Sequence, residues 1–359
     1  MLNFKANPNL MKGRGAQFNP ANPFDKVIKA KHRDLTFSAP VQEVKTEYLE
    51  THAKTILNKV DSPDIGLEYS MNPYQGCEHG CVYCYARNTH PYWGYSAGVD
   101  FESKILIKRE APALLAKKLA SPKWIASPIM LSGNTDCYQP IEAKLKITRT
   151  ILEVLDKFNH PVGMITKSAL ILRDIDIIKR LAEKNLACVA ISINTLNEAL
   201  RRELEPRTAT INRRLQVIEA LSKEGIYVTA MLAPLIPGLS DHEIMPLMEA
   251  VTNAGAKNAH YITVRLNGDV GPIFTDWVKK KFPDRADKII NRIMDTHGGQ
   301  VNDSRFGTRM KGEGKYAEIM AAQFQLAKRR FMPDVVPFVY DMSLYEKARK
   351  PQTSLFDLM

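Results

Sequence analysis

Short apolar runs alternate with longer amphipathic stretches from about residue 66 onward, a pattern that predicts repeated βα units. Six apolar runs are predicted strands, at residues 67–71, 128–131, 162–166, 187–193, 226–232 and 260–266. Amphipathic periodicity predicts helices over 147–158, 171–183 and 211–223, and the pair Ser240 and Glu243 resembles a capping box that starts another helix, ending at Gly255. Six consecutive units predict an α/β fold, a partial (β/α)6 barrel with ligands bound at the carboxyl ends of its strands.

The flanking segments differ in character from this core. Residues 1–60 are polar and dotted with prolines, and the first 33 residues hold seven Lys or Arg against the single acid Asp25. This composition predicts a basic N-terminal extension that either becomes ordered on an anion or stays a solvated tail. We therefore expect a core at 61–270, an α-rich C-terminal extension at 271–350, and a flexible tail at 351–359.

Composition indicates a globular protein of the cytoplasm. The 359 residues are 45% hydrophobic, enough for a large core, yet no apolar run approaches the roughly 18 to 20 residues of a membrane span. The N-terminus lacks the apolar centre of a signal peptide, and five cysteines, three of them in one loop, are not an extracellular disulfide framework. The net charge of +11 favours a polyanionic partner, chiefly nucleic acid, although a solvated basic surface is the alternative.

One loop carries the strongest chemical signal. Cys77, Cys81 and Cys84 are spaced C-x3-C-x2-C, and three thiolates so close in sequence are candidate metal ligands. A [4Fe-4S] cube needs four ligands, so three cysteines leave one iron open to a ligand that is not protein. The alternative is a zinc site completed by His79, His90 or the distant Cys137, but zinc sites usually pair two short knuckles and this sequence has one.

With Tyr83 directly before the third cysteine, this loop resembles that of the radical S-adenosylmethionine (SAM) superfamily. The resemblance implies that the open iron binds the amino and carboxylate groups of SAM. One electron donated to the sulfonium then splits a carbon–sulfur bond and gives a 5′-deoxyadenosyl radical, which abstracts hydrogen from a substrate. The expected cofactors are therefore a [4Fe-4S] cluster and SAM, and the expected partner is a reductant protein such as flavodoxin or ferredoxin.

Polar residues at the predicted strand ends are candidates to bind SAM. The turn Ser132-Gly133-Asn134-Thr135-Asp136 offers backbone amides and a carboxylate suited to an ammonium group, although it lacks the superfamily's common Gly-Gly-Glu form. Lys167 can neutralise a carboxylate, and Ser192 and Asn194 can form hydrogen bonds to a carboxylate or ribose. Each of these residues alone is equally consistent with a cap or a solvated side chain, so the argument is their shared position.

At finer grain, residues 66 to 270 resemble the spore photoproduct lyase-like branch, whose founding members repair a thymine dimer by direct reversal. The matching stretches are 81–85, Thr135-Asp136, 165–167, 192–194, Glu205-Pro206 with Thr208, and Ala233-Pro234. The resemblance implies that Lys167 and Ser192 contact SAM, that Tyr83 packs beside the adenosine, and that Tyr85 helps to relay a hydrogen atom. Ordinary packing beside the cluster is the alternative for both tyrosines.

One departure from that branch concerns the hydrogen donor. In the lyases a cysteine lies shortly before the Thr/Ser-Asp pair, where this chain has Gly133, and its own Cys137 follows Asp136 instead. A thiol hydrogen is weakly held, so Cys137 can serve as donor if it faces the cavity, whereas a buried core cysteine is the alternative. Cys188, inside a predicted strand, is expected in the core.

Two C-terminal segments carry further signals. Residues 303–315 join four cations to small flexible residues, a composition that suits phosphate binding or a solvated loop. Gln352-Thr353-Ser354-Leu355-Phe356 resembles the peptide by which bacterial repair and replication proteins bind the sliding clamp, with Leu355 and Phe356 filling an apolar pocket.

Together these features predict a radical SAM enzyme that acts on DNA in a lyase-type lesion repair. The competing hypotheses are radical SAM chemistry on RNA, protein or a small molecule, and a metal-binding module that grips nucleic acid without catalysis.

Overall fold

The structure is a computed structural model that describes residues 10–24 and 44–345. The resemblance to a clamp-binding peptide at 352–356 lies outside the described residues, as do residues 1–9 and 25–43 of the predicted basic N-terminal extension. Both therefore stay predictions.

Strands and helices alternate along most of the described chain. The strands are β1 (Glu47–Glu50), β2 (Leu57–Lys59), β3 (Tyr69–Met71), β4 (Tyr74–Gln75), β5 (Lys104–Ile107), β6 (Ile129–Leu131), β7 (Val162–Thr166), β8 (Ala187–Ser192), β9 (Tyr227–Leu235) and β10 (Asn258–Thr263). The α-helices are α1 (Val99–Ser103), α2 (Ala111–Leu119), α3 (Glu142–Leu145), α4 (Ile147–Lys157), α5 (Ile175–Ala182), α6 (Glu198–Leu204), α7 (Ile211–Lys223), α8 (Ile244–Asn253), α9 (Val270–Lys281), α10 (Ala286–Asp295) and α11 (Lys315–Phe331). Short 3-10 helices cover Tyr85–Thr89, Pro91–Trp93, Ala169–Asp174, Asp241–Glu243 and Pro283–Arg285. Within the described ranges, no helix is both long and apolar enough to cross a membrane.

The six predicted strands form one parallel sheet. Its order is β10-β9-β8-β7-β6-β3-β2, so neighbours in the sheet are neighbours in the chain, and β2 adds an antiparallel edge. Every pairing from β3 to β10 is parallel, as βα units require. The predicted partial (β/α)6 barrel is confirmed, with its open side between the two edge strands.

A second, small sheet was not predicted. Its order is β1-β5-β4, with β5 parallel to β1 and antiparallel to β4. Strand β4 has two residues and β1 is largely exposed, so neither shows the apolar alternation that identifies a strand from sequence. This sheet positions the cysteine loop, which leaves β4 and returns through α1 to β5.

Two buried clusters hold these layers together. The larger packs the helices that follow β6 to β9 against the faces of the parallel sheet, with Ile151, Leu181, Val217 and Met248 fully or almost fully buried. The smaller joins α9 and α10 to the back of the cysteine loop around Trp277. The cysteine loop is therefore braced by apolar packing on a part of the chain far from it in sequence.

The helical segment after β9 begins next to Ser240 as predicted, with the 3-10 turn Asp241–Glu243, but it lacks the predicted capping box. The Ser240 hydroxyl accepts a hydrogen bond from the Ile236 backbone N–H at 3.1 Å, and Glu243 accepts from the Thr195 hydroxyl at 2.6 Å. Both side chains are therefore engaged outside the helix, and α8 begins only at Ile244. The capping box was wrong because tertiary partners compete for the same groups.

The open side of the barrel is bridged by a segment that we call the edge clasp, residues 303–314. At one end the backbone N–H of Thr263, in β10, donates to the Met310 carbonyl at 2.9 Å. At the other, the Arg309 guanidinium donates to Asp64 and to Ser62, both at 2.5 Å, in the turn between β2 and β3. The clasp thus connects the two edges of the sheet that backbone pairing leaves apart.

Candidate functional site

The three cysteines lie together on a tight, buried loop. Cys77 and Cys81 are each 6% exposed, Cys84 is half-buried, and all three are free thiols. Gly80 has a φ of +67°, and a Cβ there would come within 2.7 Å of the Glu102 carboxylate, so the turn requires glycine. Burial raises the pKa of all three thiols, and for Cys77 the neighbouring Asp136, Cys81 and Cys84 raise it further. The thiols are therefore close enough to repel one another as thiolates.

This donor set fits an iron–sulfur cube better than a single zinc ion. Within the described part of the chain, no three His, Cys, Asp or Glu side chains gather around one point that could hold an ion. The Nδ1 of His79 lies 3.3 Å from an Asp136 carboxylate oxygen, and the Cys137 thiol is fully buried. Thiolate ligands need nearby positive charge. Lys167 beside Cys81, and Arg87 with Lys167 beside Cys84, offset only part of the burial that raises the pKa of these thiols, and the irons of a cube would supply more positive charge.

A buried charge network forms the wall behind the cysteines. The Tyr83 hydroxyl donates to the Glu205 carboxylate, which also pairs with the Arg214 guanidinium. Burial raises the pKa of Glu205, but Arg214 and Lys167 outweigh it and lower the pKa below its ordinary value. Since Arg214 also donates to the Ser192 carbonyl at 3.0 Å, this network joins the cysteine loop to the end of β8.

Lys167 and Asn194 are the polar groups least committed to the protein. Burial lowers the pKa of Lys167, but Cys81 and Glu205 outweigh it and raise the pKa. Among the described residues its ammonium forms no hydrogen bond or ion pair. Asn194 is 1% exposed, and its Nδ2 lies 3.5 Å from the Tyr83 oxygen, while its Oδ1 has no hydrogen-bond partner in the same ranges. A buried acceptor and a cation beside the thiols are what a zwitterionic ligand would engage.

Asp136 has a different environment from the one predicted. Its carboxylate accepts from the Thr166 hydroxyl at 2.8 Å and from the backbone N–H groups of Lys167 and Tyr138, both at 2.9 Å. Burial opposes ionisation, but His79 and these donors lower the pKa of Asp136 to about 2. The carboxylate is thus occupied by protein groups, and it fastens the cysteine loop to the ends of β6 and β7.

The turn after β6 faces Tyr85 rather than the charge network. The Tyr85 hydroxyl donates to the Gly133 carbonyl at 2.6 Å, with half of the side chain exposed. Asn134 donates through Nδ2 to the Thr89 hydroxyl at 3.1 Å. Ser132 has a φ of +73°, and its hydroxyl accepts from the Cys137 N–H at 2.7 Å. The 3-10 helix Tyr85–Thr89 therefore lies across the carboxyl end of β6.

Cys137 is set apart from the other predicted residues. Its side chain is fully buried in the larger core, and its carbonyl accepts from the Thr148 hydroxyl at 2.7 Å. The structure therefore places this thiol in packing. Tyr83, Lys167 and Asn194 are linked to the cysteine loop by hydrogen bonds or charge interactions, and Ser192 is joined to the same charge network through its backbone carbonyl. Cys188 is half-buried beside the Tyr340 hydroxyl, 3.0 Å away.

The predicted phosphate-binding segment has its guanidinium groups already paired. Arg305 forms ion pairs with Asp303 and Glu313 at 2.9 and 2.5 Å, and Arg309 is held in the edge clasp. The acids Asp303 and Glu313 lie within the segment and neutralise Arg305, whereas Asp64, the partner of Arg309, is distant in sequence. Arg265, a half-buried arginine just past β10 that forms no ion pair with a described residue, was missed because the predicted strand ran to residue 266.

Comparison with known proteins identifies relatives of both sequence and fold. The model of the radical SAM superfamily matches residues 71–251. An uncharacterised protein of Mycobacterium tuberculosis (strain ATCC 25618 / H37Rv) is 31% identical over 238 residues, 66% of this chain and 70% of that protein. An uncharacterised protein of Methanocaldococcus jannaschii is 30% identical over 249 residues, 69% of this chain and 88% of that protein.

A third relative and a solved structure carry functional names. The radical SAM Nalpha-GlyT isomerase of Pseudomonas phage M6 is 23% identical over 230 residues, 63% of this chain and 46% of that protein. Spore photoproduct lyase complexed with dinucleoside spore photoproduct superposes with a TM-score of 0.59 at 15% identity, covering 80% of each chain. A mutant of that lyase with bound AdoMet superposes equally well, with a TM-score of 0.59. At this identity the structural likeness concerns the fold.

Proposed function

Because this chain belongs to the radical SAM superfamily, whose members use a [4Fe-4S] cluster and SAM, we propose that it abstracts hydrogen from DNA in a lyase-type lesion repair. The observation that carries this proposal is the group of three free cysteines, Cys77, Cys81 and Cys84, beside the uncommitted cation Lys167 at the carboxyl ends of the parallel strands. When bound, the cluster and SAM supply a one-electron reductive cleavage of a carbon–sulfur bond, with the electron from a reductant protein such as flavodoxin or ferredoxin.

The residues around the thiols have distinct roles in holding SAM. Lys167 neutralises its carboxylate, because this ammonium interacts electrostatically with Cys81 and Cys84 and has no hydrogen-bond partner of its own among the described residues. Asn194 accepts a hydrogen bond through its buried Oδ1, and the Ser192 hydroxyl lies at the same strand end. Tyr83 and Asp136 act indirectly, since both are held by protein groups and fix the loop that carries the cysteines.

Tyr85 is the residue that we assign to the substrate side. Its hydroxyl is fixed on the Gly133 carbonyl while half of the side chain remains open. A phenol in this position can pass a hydrogen atom between the substrate and the cofactor side. Cys137 is too deeply buried to serve as the donor, so we assign the relay to Tyr85 alone.

DNA is supported as substrate by charge and by the comparisons. The chain carries a net charge of +11, and the lyase with the same fold is bound to a dinucleoside photoproduct. A second candidate is an isomerisation, in which the hydrogen abstracted from the substrate returns to it. The position of Gly133 and the burial of Cys137 favour this candidate, since neither supplies a thiol donor at the surface of the site.

Cluster binding and SAM cleavage are tested first. Anaerobically reconstituted protein is expected to hold iron and sulfide in a ratio near one, and to form 5′-deoxyadenosine and methionine under strong reductant. Cys84→Ala should lose both properties, whereas Cys188→Ala, which leaves the loop intact, should keep them. An intact cluster with no SAM cleavage would exclude the enzyme and favour a metal-binding module.

Substrate and reaction type are tested next. Oligonucleotides with deuterated thymine, with and without ultraviolet lesions, should transfer deuterium into 5′-deoxyadenosine. In the isomerisation the label returns to the product, and in lesion reversal with an exchangeable donor the product takes hydrogen from solvent. Absence of transfer from every oligonucleotide, with active SAM cleavage, would move the proposal from DNA to another substrate class.

A further inference from the structure

Arg265 is a partly buried cation at the mouth of the barrel. It lies two residues past the end of β10, at the same edge of the sheet as Lys167 after β7. Its Nε is buried and has no hydrogen-bond partner among the described residues. Its Nη1 has only a sulfur, Met310 Sδ, at 3.7 Å. Because a half-buried guanidinium is costly without an anion, this environment is incomplete.

Two fully buried guanidiniums elsewhere in the described chain show what a complete environment looks like. Arg87 pairs with Glu102 at 2.5 Å, and Arg214 pairs with Glu205. The acids nearest to Arg265 are already engaged by other arginines: Asp64 by Arg309 and Asp303 by Arg305. Both carboxylates act to raise the pKa of Arg265, but neither forms an ion pair with it.

The position of Arg265 is on the substrate side of the site. The chain just after it is joined to the 3-10 helix Tyr85–Thr89, because Asn88 donates to the Asn267 carbonyl at 2.8 Å and accepts from the Asp269 N–H at 3.0 Å. That helix begins with Tyr85, the half-exposed residue assigned to hydrogen relay. Lys167 lies three strands away along the sheet, so the two cations serve different parts of the site.

We propose that Arg265 binds a backbone phosphate of the nucleic acid substrate and so fixes the target nucleotide beside Tyr85. This inference rests on the proposed function and adds the residue that positions its substrate. A phosphodiester can accept two parallel hydrogen bonds from the planar guanidinium. It also supplies the negative charge that no described side chain provides in an ion pair with Arg265. Phe306, 57% exposed in the adjoining edge clasp, has the Arg309 guanidinium over its ring at 4.3 Å, and the opposite face of the ring offers a surface on which a base can stack.

The test compares Arg265→Gln with Arg305→Gln, which removes the same charge from a neighbouring arginine that has its own acidic partners. Binding of a fluorescein-labelled thymine-rich DNA oligonucleotide is measured by anisotropy with the cluster-loaded protein and SAM, without reductant, over a series of salt concentrations. We expect Arg265→Gln to weaken binding about tenfold and to lower the salt slope by about one, and Arg305→Gln to stay near wild type.

A second measurement separates a phosphate contact from other causes. Wild type should bind the dinucleotide TpT more tightly than thymidine, and Arg265→Gln should lose this preference. The SAM-induced change in the EPR signal of the reduced cluster reports cofactor binding, and loss of that change in Arg265→Gln would overturn the inference in favour of a cofactor role. Equal DNA binding by wild type and Arg265→Gln would overturn it as well.

The outcomes also separate this inference from the proposed function. A wild-type protein that holds its cluster but does not cleave SAM contradicts the proposed function. If the wild-type protein cleaves SAM and its DNA binding does not depend on Arg265, only the inference is contradicted. If it cleaves SAM but binds no DNA, both the inference and the assignment of DNA as substrate are contradicted.

Discussion

At the scale of single residues, Asp136 shows how a candidate ligand can instead be a brace. Its carboxylate is filled by Thr166, two backbone N–H groups and His79, which lies between Cys77 and Cys81. Mutation of a group that orients metal ligands typically lowers metal affinity about 10- to 100-fold. The role of Asp136 is therefore visible in the iron content rather than in the affinity for SAM.

This distinction gives a first prediction. Asp136→Asn should lower iron retained after anaerobic reconstitution and gel filtration, and SAM cleavage should fall about 10- to 100-fold in parallel. Asp176→Asn, which changes an exposed partner of Arg149, is the control. Full iron content with selectively weakened SAM binding would instead show that Asp136 contacts the cofactor amine.

A second prediction concerns pH and His160. Burial lowers the pKa of His160 to about 4, and its Nε2 accepts a hydrogen bond from the Trp124 Nε1–H at 3.2 Å. The folded state therefore keeps the ring neutral, while the unfolded chain takes up a proton as pH falls through about 6.5. This difference should cost about 1 kcal/mol of unfolding free energy between pH 7.5 and 5.5.

Urea unfolding under anaerobic conditions at the two pH values measures this effect. His160→Gln should reduce the loss of stability between them by about 1 kcal/mol, although its stability at pH 7.5 is lower. His242→Gln, at an exposed position, should leave the loss unchanged. An identical pH dependence in wild type and His160→Gln would contradict the assignment.

At the scale of elements, the N-terminal segment 10–24 packs on the back of the cysteine loop. The backbone N–H groups of Gly15 and Ala16 donate to the buried Glu102 carboxylate at 3.0 and 2.7 Å, and the same carboxylate pairs with Arg87. A Cβ at Gly15 would come within 1.9 Å of the Gly80 carbonyl oxygen. The part of the basic extension that the structure describes is therefore an integral cover of the loop.

The third prediction follows from this contact. Gly15→Ala should loosen the segment, so that proteolysis within residues 10–24 and bleaching of the cluster absorbance in air both become faster. Gly66→Ala provides a matched control, because a Cβ there meets no atom within 4 Å. Unchanged bleaching despite faster proteolysis would show that the segment does not protect the cluster.

Elements with strong local signals were predicted well. Residues 162–166 form a continuous apolar run, and β7 has these bounds because parallel strands are covered on both faces. The two residues of β4 carry too little pattern to be recognised. The helical segment after Ser240 was predicted correctly, but the capping role of the Ser240 side chain was wrong because this side chain bonds elsewhere. Periodicity thus located the barrel but not the small sheet that supports the cysteine loop.

In the candidate site, too, features set by local sequence were predicted and those set by distant residues were not. Cysteine spacing is a local property, so the cluster loop was predictable, and Lys167 followed from its place at a strand end. The partner of an arginine is not local: Arg309 meets Asp64, 245 residues away in sequence. For this reason composition overestimated the phosphate-binding capacity of 303–315 and overlooked Arg265.

At the scale of the whole molecule, the edge clasp converts an open sheet into a nearly closed ring. Arg309 and Asp64 are only 14% and 9% exposed, and the Gly307 N–H adds a bond to the same carboxylate at 2.8 Å. Because Arg265 contacts Met310 in this segment, the clasp also supports the rim on which the substrate is proposed to lie.

The fourth prediction tests this connection. Arg309→Gln should increase hydrogen exchange in two separate segments, the β2–β3 turn and residues 303–314, because both lose the same contact. Lys223→Gln, which removes an exposed pair with Glu219, should leave both segments unchanged. Faster exchange in only one segment would show that the clasp does not couple the two edges.

The near-complete burial of Cys77 and Cys81 also bears on how the protein acquires its cluster. Cys77 and Cys81 are each only 6% exposed, so iron and sulfide delivered to the finished fold must await a transient opening of the loop. Mild urea, below the unfolding transition, should therefore accelerate iron incorporation. A rate independent of urea would indicate that the cysteine loop is already open in the apoprotein.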